Sequence, residues 1–208
     1  MKWLLVGLAA CGDHAVAPDA APSWALYTIE AGQHYADLAN NVQGVNPVDG
    51  LVHTAGRDYD FIFDASAIYT ITNPAEPNDQ LDWNKLPGLA DCGNIDLSQD
   101  GLMFGWRWRL DTQVLEITAY ANNAGVHLTP DQPLVSLTAA DLTGVLSYRF
   151  ERTQTTYEFD ANGMHATLPR RCTDQPVDLE AFAAGFYFGG TSTAPQVITG
   201  QIHERSFE

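Results

Sequence analysis

From Trp24 onward the chain breaks into short runs in which apolar and polar residues alternate, separated by Gly, Pro, Asn and Asp. Alternation with period two sends successive side chains to opposite faces of a strand, so each run reads as a half-buried β-strand. The pattern predicts strands over 24–30, 51–54, 59–63, 67–72, 102–110, 114–121, 134–137, 145–151, 157–159, 164–168, 186–188 and 196–203. Short strands punctuated by turn signals predict an all-β fold, a jelly-roll sandwich of two antiparallel sheets. Two hairpins are explicit. Asn162-Gly163 supplies the positive φ angles of a tight turn, and Asp111-Thr112 separates the two most strongly alternating runs. Helical signal is confined to 138–142 and 177–184, a turn or two each, without a sustained 3.6-residue stripe. No internal repeat interrupts 24–208, so this stretch is read as a single domain.

The runs on either side of Asp111-Thr112 carry the candidate chemistry. Phe104, Trp106 and Trp108 share one face of the first, and Arg107 and Arg109 share the other. In the second, Leu115, Ile117 and Ala119 oppose Glu116, Thr118 and Tyr120. If the hairpin pairs normally, Arg107, Arg109, Glu116 and Tyr120 meet on one sheet face. Such a set can bind a sugar or carry out acid–base chemistry; it can equally be a cross-strand ion-pair ladder. The aromatic face has the same two readings, a stacking platform for sugar rings or the filling of the core. The four polar residues are taken as the candidate ligand site, and no catalytic residue is assigned.

The opening segment changes the picture of where the domain resides. Met1-Lys2-Trp3-Leu4-Leu5-Val6 leads into Leu8-Ala9-Ala10-Cys11: a charged start, a short apolar run, then small residues before a cysteine. It is too short to span a bilayer and has the flanks of a processed leader. It resembles the lipobox of bacterial lipoproteins. That resemblance implies a signal peptide over 1–10, acylation of Cys11 and a lipid-anchored protein of the bacterial cell envelope, periplasmic or on the outer surface. Two or more acyl chains suffice for stable anchoring, at roughly 0.8 kcal/mol per buried methylene. Residues 11–23, small, polar and proline-bearing, then read as a tether.

Charge and cysteine usage narrow the partners. With 26 Asp and Glu against 10 Lys and Arg, the net charge of -16 opposes a phosphate backbone, so no nucleic-acid partner is expected. Once Cys11 is assigned to lipid, Cys92 and Cys172 remain as one pair in an oxidising compartment. A disulfide there would contribute about 4 kcal/mol in the chain-entropy model; two free thiols or half a metal site are the alternatives. The six histidines, at 14, 34, 53, 127, 165 and 203, show no ligand-type spacing, and no metal centre or cofactor is expected. Asp58, Asp60 and Asp64, or Asn78 and Asp79 with Asp82, can supply oxygens to a structural calcium, although no twelve-residue calcium loop is present.

Three blocks carry a resemblance to a family. Trp83-Asn84-Lys85-Leu86-Pro87-Gly88-Leu89-Ala90-Asp91-Cys92 is one. The aromatic hairpin, Phe104 to Trp108 with Leu115 to Tyr120, is the second, and Phe186-Tyr187-Phe188-Gly189-Gly190-Thr191-Ser192-Thr193-Ala194-Pro195 is the third. They resemble a family of uncharacterised secreted or lipid-anchored bacterial proteins with a jelly-roll domain of the lectin and glucanase kind. That resemblance implies fold and compartment and brings no activity. Gln201-Ile202-His203 is similar to a strand motif of jelly-roll alginate lyases, but those enzymes carry it mid-chain, before rather than after their Tyr-Phe segment. Three function classes follow: a glycan-binding module first, a polysaccharide lyase or glycosidase second, and a non-catalytic envelope interaction protein third. The expected partners are a glycan and, through the lipid anchor, a membrane.

Overall fold

The computed structural model describes residues 24–38 and 50–207; the leader, Cys11 and the tether lie outside these residues. In chain order the strands are β1 (Ala25–Ile29), β2 (Ala36–Leu38), β3 (Gly50–Thr54), β4 (Gly56–Phe63), β5 (Asn84–Lys85), β6 (Gly88–Ala90), β7 (Asp100–Arg109) and β8 (Val114–Asn123). There follow β9 (Val126–Leu128), β10 (Val135–Thr138), β11 (Leu146–Arg152), β12 (Thr156–Ala161), β13 (Met164–Pro169), β14 (Leu179–Ala184) and β15 (Ile198–Arg205). They form two sheets. The first runs β13-β12-β11-β4-β15-β1-β2; the second runs β10-β8-β7-β6-β14-β3, with β5 on β7 and β9 on β8. Every pairing is antiparallel. The fold is an all-β jelly-roll sandwich.

Alternation decides what lies between the sheets. Tyr59, Phe61 and Phe63 of β4, Tyr148 and Phe150 of β11, and Tyr157 and Phe159 of β12 are buried from the first sheet. Phe104, Trp106 and Trp108 of β7 and Leu115 and Ile117 of β8 are buried from the second. Phe104 meets Tyr148 edge to face at 5.0 Å, Trp106 tilts against Phe63 at 5.4 Å, and Tyr59 stacks on Tyr148 at 5.6 Å. Each such pair adds about 0.5–1.5 kcal/mol to its area burial. The aromatic face of β7 is therefore core and not a stacking platform, because the first sheet covers it.

One end of the sandwich is fastened by charge. Asp91, just after β6, accepts from Arg170 Nε at 2.7 Å and Nη2 at 3.0 Å, from Tyr157 Oη at 2.8 Å and from Arg152 Nη1 at 3.3 Å. All three charged side chains are buried. The arginines also donate to carbonyls, Arg170 to Thr153, Gln175 and Pro176, and Arg152 to Ala90, Thr54 and Leu179, although the buried Arg152 Nε finds no partner among the described residues. Burial works against the Asp91 carboxylate, yet the hydrogen bonds from Arg170, the Cys92 amide and Tyr157, with the Arg152 charge, together outweigh it and hold the carboxyl below its usual range. The Cys92–Cys172 disulfide, with Cα atoms 5.5 Å apart, joins the same two loops.

Three local expectations fail. Residues 177–184 do not turn helical; Leu179–Ala184 is β14, a strand ladder held between β3 and β6. Residues 67–72 are not a strand. Asp64 caps a 3-10 turn at Ala65–Ala67 by accepting from Ser66 N at 2.7 Å, and the chain then leaves the sheet. Residues 186–188 form isolated bridges at Tyr187, to Tyr35 and Lys85, instead of a strand.

Candidate functional site

The β7–β8 register places Arg107 opposite Glu116, Gly105 opposite Thr118 and Met103 opposite Tyr120. All these side chains leave the core on the outer face of the second sheet. Here the four expected residues separate into two groups. Arg107 pairs with Glu116 at 2.8 Å, donates to the Leu81 carbonyl at 2.8 Å and lays its guanidinium over the Trp83 ring at 3.9 Å. Arg109 pairs with Asp111 at 2.6 Å and Glu116 at 3.3 Å. Tyr120 stands apart from this network. It is only 4% exposed, and its hydroxyl has no hydrogen-bond partner among the described residues.

Tyr120 opens into a groove of about 960 Å³. The floor is Met103, Tyr120 and Asn122 on β7 and β8, flanked by His127 of β9, Lys85 of β5 and Phe182 of β14. One wall is Asp82 and Trp83. Trp83 can lie against the sheet because Gly105 has no side chain: a Cβ there would sit 3.3 Å from the Trp83 Cβ. Gly190 closes behind it at φ 79, where a Cβ would collide with the Asp82 carboxylate. The opposite wall is the loop 95–98, pinned across the sheet by Asn122, whose Nδ2 donates to the Leu97 carbonyl at 2.6 Å. The rim is aromatic. Tyr187 stacks on His34 at 5.4 Å and meets Tyr35 edge-on at 4.9 Å, and Tyr35 is 77% exposed.

Electrostatics inside the groove follow from burial. The Lys85 Nζ donates to the Trp83 carbonyl and lies 4.6 Å from the centre of the Tyr120 ring. Burial pulls the ammonium down to about 8, against the pull of Asp82. Burial also pushes the Tyr120 phenol up to about 12, with Asp82 adding to the shift. Asp82 itself is raised by burial and by neighbouring Asp79. His127 Nδ1 lies 2.5 Å from Asn122 Oδ1, and its ring is 5.6 Å from that of Tyr120. The set offers a hydroxyl without a partner among the described residues, an ammonium lowered to about 8, and three aromatic rings, Tyr35 exposed and Trp83 and Tyr187 half-buried.

Comparison with solved structures finds sandwiches of this kind. The alginate lyase AlyC3 superposes with a TM-score of 0.50 at 12% identity, over 88% of this chain and 74% of that one. Alginate lyase vAL-1 from Chlorella virus gives 0.45 at 12% identity, over 86% and 81%. The laminarinase catalytic domain from Thermotoga maritima gives 0.43 at 10% identity, over 88% and 78%. What is shared is the fold. No family model matches the sequence, and neither does any curated protein.

The remaining sequence candidates fall elsewhere. Gln201 and His203 share the outer face of β15 in the first sheet, where the His203 ring lies 5.7 Å from Trp24, so they do not meet Tyr120 or Tyr187. Among the acids considered for calcium, Asp58 and Asp60 bind Arg205, and Asp64 accepts from Ser66 and Thr199. Asp79 accepts from Ser192 and from the Glu76 amide. Sequence reasoning did not single out Trp83, Lys85 or Tyr187 as site residues. Trp83 and Tyr187 stood in the resemblance blocks, and the Gly189-Gly190 pair beside them was the signal of a close backbone approach.

Proposed function

We propose that the chain is a lipid-anchored protein of the bacterial envelope whose sandwich binds carbohydrate in the groove over Tyr120. The observation that carries the reading is a tyrosine hydroxyl with no hydrogen bond from the described residues, opening into a trough with Trp83, Tyr187 and Tyr35 around it. Such a hydroxyl can donate to and accept from a ligand without first giving up a protein hydrogen bond, and aromatic faces are what a sugar ring stacks on. The fold adds support of a general kind, since AlyC3, by its name an alginate lyase, is built on it; fold alone assigns no function. In this reading Tyr120 touches the ligand. Arg107, Arg109 and Glu116 act as positioning residues, which hold Trp83 against the sheet.

A glycan array followed by calorimetry tests the binding. Tyr187→Ala should weaken a positive glycan about tenfold, and Tyr120→Phe by about threefold to tenfold, the worth of one hydrogen bond. Both should melt within a few degrees of the parent. Binding that survives both substitutions unchanged would remove the groove from consideration. Anchoring is tested separately: Cys11→Ala should abolish lipid labelling and release the protein from membranes. The pairing of Tyr120 with Lys85 favours a second reading, acid–base chemistry on a bound polysaccharide as a lyase or glycosidase. Turnover of the array-positive polysaccharide, followed by reducing ends and by ultraviolet absorbance of unsaturated products, separates the two.

A further inference from the structure

We infer that the groove selects uncharged sugar chains and turns away polyuronates, an inference that rests on the carbohydrate reading above. The fixed charges lining the groove are Asp82, Asp96 and Lys85, with His127 at the edge. Lys85 is the one lysine or arginine among these lining residues, and it is already engaged by the Trp83 carbonyl and the Tyr120 ring. The two arginines of the same sheet face bring no relief. The Arg107 fork is occupied by Glu116 and Leu81 and its plane by Trp83, while Arg109 is held by Asp111 and Glu116. A planar fork is the group that recognises carboxylates in two-point geometry, and none is left over to do so.

Against this stand two carboxylates at the lining and a net charge of -16 over the whole chain. Burial first, and Asp79 second, already raise the Asp82 pKa, so a further carboxylate in the groove meets the same desolvation and like charge. A polyuronate would bring one more carboxylate per sugar, each stripped of part of its water and without an arginine in return. An uncharged chain meets the opposite conditions. Its hydroxyls can pair with the Tyr120 hydroxyl, and its ring faces can lie on Tyr187, Tyr35 and Trp83 without any desolvated charge. Elimination chemistry needs a carboxyl group beside the carbon that loses its proton. An uncharged chain has none, so the same inference favours binding, or hydrolysis, over a lyase reaction.

The test is affinity electrophoresis of the purified full chain in gels containing laminarin, polymannuronate or polyguluronate, at two salt concentrations, with calorimetry for the dissociation constants. Laminarin should retard the protein and bind at least tenfold more tightly than either polyuronate. Salt should narrow that ratio, because screening relieves repulsion. The double variant Asp82→Asn, Asp96→Asn should shift the ratio at least threefold toward the polyuronates; an unchanged ratio would show that these charges do not set the preference. A polyuronate bound as tightly as laminarin, or converted to an unsaturated product, would overturn the inference and leave the carbohydrate reading standing. If a broad array of neutral and acidic glycans shows no binding at all, the carbohydrate reading falls and this inference with it.

Discussion

Two polar regions of this sandwich use the same kinds of side chain to opposite ends. Around Asp91, at the disulfide end, a Tyr and two Arg converge on one carboxylate, with both Asp91 oxygens taken and the arginines spread over six carbonyls. Around Tyr120, a Tyr, a Lys and two Asp lie close together, yet the hydroxyl has no partner among the described residues and burial lowers the lysine to about 8. The first is closed and joins the sheets; the second is open and faces a groove. Residue type does not tell them apart. What does is how many hydrogen bonds the described residues supply: at Asp91 they fill the carboxylate and leave only Arg152 Nε over, and at Tyr120 they give the hydroxyl none.

The contrast is broken most severely at Asp91. Asp91→Asn leaves two buried guanidinium groups without a counter-charge, and about 3–5 kcal/mol of stability should be lost. Chemical denaturation measures it, and a loss under 1 kcal/mol would mean that the cluster is not a clamp. Reduction of the Cys92–Cys172 bridge should cost less, about 2–4 kcal/mol, with groove binding retained once the protein is held below its new melting point. Arg107→Ala should cost about 1–3 kcal/mol, since it leaves Glu116 short of a partner and Trp83 without its stacked plane. The emission of Trp83 should shift to the red, and Arg107→Lys should not restore it, because a lysine cannot stack.

The smallest effect sharpens the other side of the comparison. A lysine whose folded pKa of about 8 lies below its unfolded value of roughly 10.4 opposes folding while protonated. Above pH 8 the unfolded chain therefore binds more protons at this site, so its contribution to stability rises with pH until about 10.4 and then levels off. The difference in melting temperature between the parent and Lys85→Met should accordingly shrink from pH 7 to pH 10, by about 2 °C or more. A difference that stays flat over this range would place the ammonium in ordinary solvent.

How much of this could be read in advance depends on whether local or distant residues decide it. The β7–β8 hairpin and its register were legible because alternation runs through both strands and Asp111-Thr112 fixes the turn, and the face shared by Arg107, Arg109, Glu116 and Tyr120 followed. Asn162-Gly163 was legible for the same reason, and both residues have positive φ. Residues 179–184 were not. Their Leu-Glu-Ala-Phe-Ala-Ala sequence suits a helix in isolation, and only the ladders from β3 and β6 make it a strand. The groove was hidden for a related reason. Lys85 and Tyr187 exchange backbone hydrogen bonds across a hundred residues, and Tyr35 joins them from β2's threshold. No period in the sequence announces such a meeting.

One pairing has a consequence for synthesis. In the first sheet β15 lies between β4 and β1, with Ile202 opposite both Ala25 and Phe61. Of the described strands β1 is made first and β15 last, so the strand that joins β4 to β1 is the last to arrive. The β7–β8 hairpin of the second sheet has no such delay. Until β15 emerges, β1 and β4 present unpaired strand edges to whatever is nearby. That interval gives a holding chaperone its natural target, and ending translation before Ile198 would make it permanent.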